Sequence, residues 1–184
     1  MKVIILHRAF GSPNDDWYPW LARKLNDKKI EVIVPALQPS TPPQYESWIK
    51  KARETLNGAD EKTFIIGHSL GNTAAFRILE TLPDNKKIGG MVVVAGIFSM
   101  PEKYPPEYEP IARFYDKPIN WAKISRVLRK AIVLHDRKDN NAPFVSGEAI
   151  SKSLGVKLIA TDGKGHYLEK ELPEVLEALN EIMK

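Results

Sequence analysis

The sequence predicts a three-layer, doubly wound α/β domain with a mostly parallel six-stranded sheet flanked by helices. Three observations predict it. Short runs rich in valine and isoleucine alternate with helical patterns along the whole chain. The runs are almost continuously apolar, as in strands buried on both faces of a parallel sheet. No internal repeat or low-complexity tract interrupts them, and 184 residues suit one domain spanning 1–184.

The strands are expected at 3–6, 31–34, 64–66, 91–95, 131–134 and 156–160. Helices are expected at 16–28, 43–57, 70–82, 146–154 and 168–183. The second of these follows Thr41-Pro42-Pro43, and proline is tolerated in a first helical turn. The last carries Leu172, Leu176, Leu179 and Met183 at amphipathic spacing. One segment breaks the alternation. Residues 97–121 hold five prolines and six aromatic residues, and so many prolines forbid a long regular helix. This excursion either packs its rings on the body or forms a small wall over a binding site, as long irregular loops often do.

Composition narrows the function. Hydrophobic residues make up 43% and charged residues 27%, the balance of an ordinary globular domain. Such a chain buries about 70% of its unfolded surface, enough for a core without covalent staples. It contains no cysteine, which excludes disulfides, thiolate metal sites and a cysteine nucleophile. The net charge of +4 is mild, and basic residues sit beside acidic ones with no linear patch, so nucleic acid is not an expected partner. The opening MKVIILHRAFGSP is too short for a signal peptide, and no stretch approaches the twenty or so apolar residues of a membrane span. A membrane is therefore not an expected partner, and the expected location is cytoplasmic. Nothing in the sequence decides between monomer and homodimer.

The most informative segment is Phe64-Ile65-Ile66-Gly67-His68-Ser69-Leu70-Gly71-Asn72. An apolar strand runs into Gly-x-Ser-x-Gly and then into a helical pattern, the context of a nucleophile elbow. The turn strains the serine backbone, and side chains at the flanking positions would collide with strand and helix; glycine removes them. The serine oxygen then stands over a helix N-terminus whose amides favour negative charge. Of the four histidines, His68 reads as a packing residue and His7 as lining the site. His166, in a glycine-rich loop after the last strand, reads as the general base for Ser69. The orienting carboxylate is expected at the end of the fifth strand: Asp139 first, Asp136 second, Asp162 third. The order Ser69, Asp139, His166 is the one expected for this sheet type. The backbone amides of Leu70 and Ala9 are the expected oxyanion donors.

With these residues in this order, the chain resembles the α/β-hydrolase superfamily, most closely small serine hydrolases of the retinoblastoma-binding protein 9 and YdeN type, which have a minimal lid or none. The resemblance extends to Trp17-Tyr18-Pro19-Trp20-Leu21, Gln44-Tyr45-Glu46-Ser47-Trp48 and Gly165-His166-Tyr167-Leu168-Glu169. The spacing from Asp139 to Pro143 matches the family's acid segment and carries that role to Asp139. The resemblance implies a hydrolase cleaving small carboxylic esters through an acyl-serine, with no cofactor and no metal. An amidase or aminopeptidase on the same triad is the alternative, and a catalytically idle binding module of the same fold is a third. The substrate pocket is expected to draw on His7, Arg8, Phe10, Trp17 and Phe98, with residues 97–121 over the site. Arg8 stands where relatives usually carry glycine, so it either crowds the oxyanion loop or offers a cation to an acidic substrate. Relatives that bind the retinoblastoma protein use an L-x-C-x-E motif, which a chain without cysteine lacks.

Overall fold

A computed structural model of the protein describes residues 1–100 and 102–184. Six parallel strands, β1 (Lys2–Leu6), β2 (Glu31–Ile33), β3 (Thr63–His68), β4 (Gly90–Val94), β5 (Ala131–Asp136) and β6 (Lys157–Thr161), lie in the order β2-β1-β3-β4-β5-β6. The helices are α1 (Tyr18–Asn26), α2 (Tyr45–Leu56), α3 (Leu70–Leu79), α4 (Glu109–Ala112), α5 (Trp121–Val127), α6 (Phe144–Leu154) and α7 (Pro173–Met183).

The two-sided apolarity of the strands has a direct structural reading. Along β1, Val3 and Ile5 pack against α1 and α7, while Ile4 and Leu6 pack against α2 and α3. The same alternation sends Ile66, Val92 and Leu134 to the first face and Ile65, Val93 and Val133 to the second. The inner strands β1, β3, β4 and β5 are buried, whereas β2 and β6 at the two edges are half-exposed. Every crossover therefore covers one face, which is the doubly wound arrangement the sequence predicts. Among the described residues no helix is long and apolar enough to cross a membrane.

The element boundaries depart from expectation where polar residues finish an apolar run. β3 continues through His68 and β5 through His135 and Asp136, because their backbones still pair with Val94 and with Ala160 and Thr161. The last helix begins at Pro173, not near Leu168. Proline drives the preceding Leu172 into extended backbone (φ −138°, ψ 83°) and itself takes the first helical turn.

Among its described residues, the excursion at 97–121 contains only short turns before α5 begins at Trp121. Pro106 opens a 3₁₀ turn and Pro110 sits in the first turn of the four-residue α4. α5, which follows it, is an element absent from the sequence prediction, although Asn120 caps it by accepting from the Lys123 amide at 3.0 Å. The rings of the excursion pack on the body: Phe114 meets Tyr45 and Trp48, and Trp121 meets Phe76. Buried Arg77 on α3 donates to the carbonyls of Phe114, Lys117 and Pro118, and Thr73 bonds the Tyr115 hydroxyl at 2.7 Å. The segment is thus moored to α2 and α3.

Candidate active site

The carboxyl ends of β1, β3, β5 and β6 meet at one rim, where an α/β sheet places its ligands. Ser69 sits between β3 and α3 with φ 52° and ψ −122°, a conformation that L-residues avoid. Its amide donates to the Val94 carbonyl at 2.9 Å, so β4 holds the turn in place. Both flanking glycines are required by space. A Cβ on Gly71 would lie 2.1 Å from the Leu6 carbonyl oxygen, and one on Gly67 would lie 2.3 Å from Asn72 Oδ1. The sequence analysis missed Asn72, whose Nδ2 donates to the carbonyls of Ser69 (3.0 Å) and Val94 (2.8 Å) and clamps the elbow from below. The available signal was a lone side-chain amide in the first turns of a buried helix.

His166 and Asp139 come together directly. The His166 Nδ1–H donates to Asp139 Oδ2 at 2.8 Å, which leaves Nε2 with its lone pair free to accept a proton. The other oxygen, Oδ1, accepts from the amides of Asn141 and Ala142 at 2.8 and 2.9 Å. Burial pushes the Asp139 carboxyl pKa up, but the bond from His166 and the two amides outweigh it and hold it below its ordinary value. Ser69 is 6% exposed, and among the described residues its hydroxyl makes no direct bond to His166. What links them is His68: its ring lies 5.3 Å from that of His166, and its Nε2–H donates to the His166 carbonyl at 2.8 Å.

Asp136, the second candidate for the acid, does different work. It accepts from the amides of Lys138 and Lys164 and from the Thr161 hydroxyl, tying the loop after β5 to the loop that carries His166. Its side chain pairs with neither Arg137 nor Lys138; Arg137 instead pairs with Asp162, the third candidate, on the surface. Burial pushes the Asp136 carboxyl up, yet the Lys164, Lys138 and Thr161 bonds bring it below its ordinary value. A carboxyl depressed by folding stabilises the fold above its unfolded value of about 3.9, and that contribution is lost as pH falls through the folded value. Asp136→Asn is therefore expected to cost about 2 kcal/mol at pH 7 and to flatten the loss of stability below about pH 4. Urea denaturation at pH 7 and pH 3 measures both.

The two oxyanion candidates lie in the loop after β1 and at the start of α3. Leu70 is the first residue of α3, so its amide has no partner within the helix. The Ala9 amide in the loop after β1 makes no hydrogen bond among the described residues. Arg8 neither crowds this loop nor projects a free cation. Its Nε donates to Asp16 at 2.7 Å, and its Nη1 donates to the carbonyls of Ala9 (3.2 Å) and Phe10 (2.9 Å). The guanidinium thus braces the loop from inside.

The pocket residues need correction. His7 and Trp17 are fully buried and lie beneath the rim. The His7 Nδ1–H donates to the Arg8 carbonyl and Nε2 accepts from the Leu37 amide, while Trp17 Nε1 donates to the Tyr167 carbonyl. Both ring nitrogens of His7 are spent on backbone, and burial lowers its basicity. Phe98 stacks on Trp121 and lines a groove of about 580 Å³ with Met100, Tyr104, Tyr115 and Ile119, whose walls do not include Ser69, Asp139 or His166. Phe10, 44% exposed at φ 55°, is the one expected pocket ring that the loop presents to solvent.

A parallel sheet with a strained serine at the tip of β3 is the fold of the α/β hydrolases, and the solved structures agree. The crystal structure of the ydeN gene product from B. subtilis superposes with a TM-score of 0.91 at 23% identity, covering 98% of this chain and 97% of that one. Est1E from Butyrivibrio proteoclasticus follows with a TM-score of 0.75 at 16% identity, covering 99% and 86%. Sequence comparison is more specific than fold. The family model described as Serine hydrolase matches residues 3–181, and the chain belongs to that family. It is 26% identical over 182 residues to YdeN of Bacillus subtilis (strain 168), covering 97% of this chain and 94% of the relative. It is 25% identical over 167 residues to Serine hydrolase RBBP9 of Rattus norvegicus, covering 91% and 86%. The resemblance to small serine hydrolases of the YdeN and retinoblastoma-binding protein 9 type is borne out.

Proposed function

We propose that this serine hydrolase cleaves small carboxylic esters through an acyl-serine intermediate, acting in the cytoplasm on soluble substrates. Ser69 Oγ attacks the ester carbonyl carbon while His166 Nε2 takes the hydroxyl proton; His166 then returns it to the departing alkoxide. Water, deprotonated by the same imidazole, attacks the acyl-serine carbonyl; the acyl–Oγ bond breaks, the carboxylic acid leaves, and His166 returns the proton to Ser69 Oγ. Asp139 holds the ring in the Nδ1–H form and stabilises the imidazolium, and the amides of Ala9 and Leu70 receive the oxyanion. The observation that carries this reading is the 2.8 Å bond from His166 to a buried carboxylate, together with a serine held in a strained turn. The Ser69–His166 bond completes itself when substrate enters, since such bonds are often long in the empty enzyme.

The test is hydrolysis of p-nitrophenyl acetate and butyrate set against aminoacyl p-nitroanilides, with fluorophosphonate labelling and mass mapping of the modified peptide. Esters are expected to be the better substrates, with the label on Ser69. Faster cleavage of the anilides would move the assignment to an amidase, and an unlabelled Ser69 would leave an idle scaffold.

A further inference from the structure

The position between Gly67 and Ser69 in the elbow is occupied by a histidine that is fully buried and has both ring nitrogens hydrogen-bonded. His68 and Tyr18 are both fully buried, where an apolar pair would avoid the cost of sequestering polar groups. Their hydrogen bonds form a chain with only one consistent set of directions. The His166 carbonyl can only accept, so His68 Nε2 carries the proton of the 2.8 Å bond. His68 Nδ1 is then the acceptor, and the Tyr18 hydroxyl donates to it at 2.6 Å. The Tyr18 oxygen in turn accepts from the Arg8 amide at 3.2 Å. The chain therefore runs unbroken from the residue before Ala9 to the residue bearing the catalytic imidazole.

We propose that Tyr18 and His68 are positioning residues, a buried strut that sets the distance between the oxyanion loop and the base loop. The proposal rests on the roles assigned above to Ala9 and His166. One end of the strut is the amide adjacent to the oxyanion donor; the other is the backbone of the base. A second tie runs beside it, from Trp17 Nε1 to the carbonyl of Tyr167 at 3.1 Å, and Tyr167 is held at φ 55°. The carbonyls of His166 and Tyr167 are thus both held, the first by His68 with Tyr18 behind it and the second directly by Trp17.

The strut requires a neutral His68. Its ring stands 5.3 Å from His166, which becomes an imidazolium during the reaction, and a second cation there would oppose that charge. The groups facing His68 are Asp16, whose carboxylate lies 3.9 Å from Nδ1, together with Tyr18, His166, Arg8 and His7. Asp16 is itself occupied by Arg8. Burial first, and then the charge of His166, hold His68 well below its ordinary value, and burial keeps the Tyr18 hydroxyl protonated.

Three variants test the strut in the full chain. His68→Leu deletes both bonds at similar bulk, His68→Gln retains an N–H for the His166 carbonyl, and Tyr18→Phe deletes only the hydroxyl. kcat for p-nitrophenyl butyrate is expected to fall about 100-fold in His68→Leu with KM unchanged, the effect of a displaced catalytic group. His68→Gln recovers most of the loss, and adding Tyr18→Phe to His68→Leu costs little more, because both act on one chain of bonds. Thermal midpoints measured alongside separate this from simple loss of folding. Wild-type kcat in His68→Leu, or a loss that tracks the midpoint and that glutamine does not relieve, overturns the strut. NMR gives an activity-free readout: the downfield Nδ1–H resonance of His166 shifts or broadens in His68→Leu, and an unmoved resonance also overturns the proposal. Absence of fluorophosphonate labelling in the wild type would instead remove the hydrolase reading, leaving the resonance to judge the strut by itself.

Discussion

Ser69→Ala is expected to lower kcat on p-nitrophenyl butyrate by about 10⁶-fold, the loss seen when a serine nucleophile is deleted from an intact triad. Residual turnover then comes from the two backbone amides and from binding alone. The substitution is a clean probe because the fold does not use the hydroxyl: among the described residues the structural bonds of Ser69 are made by its backbone, to Val94 and to Asn72. Alanine keeps the Cβ, so the strain of the turn at φ 52° is retained and neither relieved nor increased. Stability is accordingly expected to stay within about 0.5 kcal/mol of wild type by urea denaturation. A variant that folds normally and keeps more than a few per cent of the activity would show that another group attacks the ester.

How much of this was legible in the chain depended on how locally each requirement is written. The elbow compresses its constraints into five residues, and the clashes that a Cβ on Gly67 or Gly71 would create lie within the strand and helix that the same segment forms or directly touches. The inner strands were legible because both phases of their alternation are apolar. Asp139 was legible from its distance to Pro143, and the structure gives that aspartate the bond to His166. What escaped was long-range pairing by polar atoms. Nothing near His7 announces that Nε2 will accept from the Leu37 amide, nor does anything near Trp17 point to the Tyr167 carbonyl 150 residues away. Both were therefore read as pocket walls when they are buried supports. Arg8 looked like a departure with consequences for substrate, but its partner Asp16 lies eight residues on, and the pair closes upon itself. α5 escaped for another reason: its cap and apolar spacing follow a proline-rich stretch that dominated the local pattern.

Asp139→Asn is expected to cost about 10⁴-fold in kcat with little change in KM, by reversing which nitrogen of His166 holds the proton. In the native arrangement a carboxylate oxygen faces Nδ1, so the ring proton sits there and Nε2 is basic. The Oδ1 side accepts from the Asn141 and Ala142 amides, an arrangement that an asparagine oxygen preserves. The new amide group is thereby forced toward His166, where it donates to Nδ1 and moves the ring proton to Nε2, the atom that should receive the serine proton. Asp136→Asn provides the contrast. That carboxylate contacts backbone amides and Thr161 but not the imidazole, so its loss falls on stability while the tautomer is preserved. Comparing the two variants on one ester, with folding monitored in parallel, separates orientation of the base from construction of its loop. A loss below tenfold for Asp139→Asn, with the larger kinetic defect in Asp136→Asn, would exchange the two roles. The 2.8 Å bond to His166 argues against that exchange, because a carboxylate with no contact to the ring has no means of selecting its tautomer.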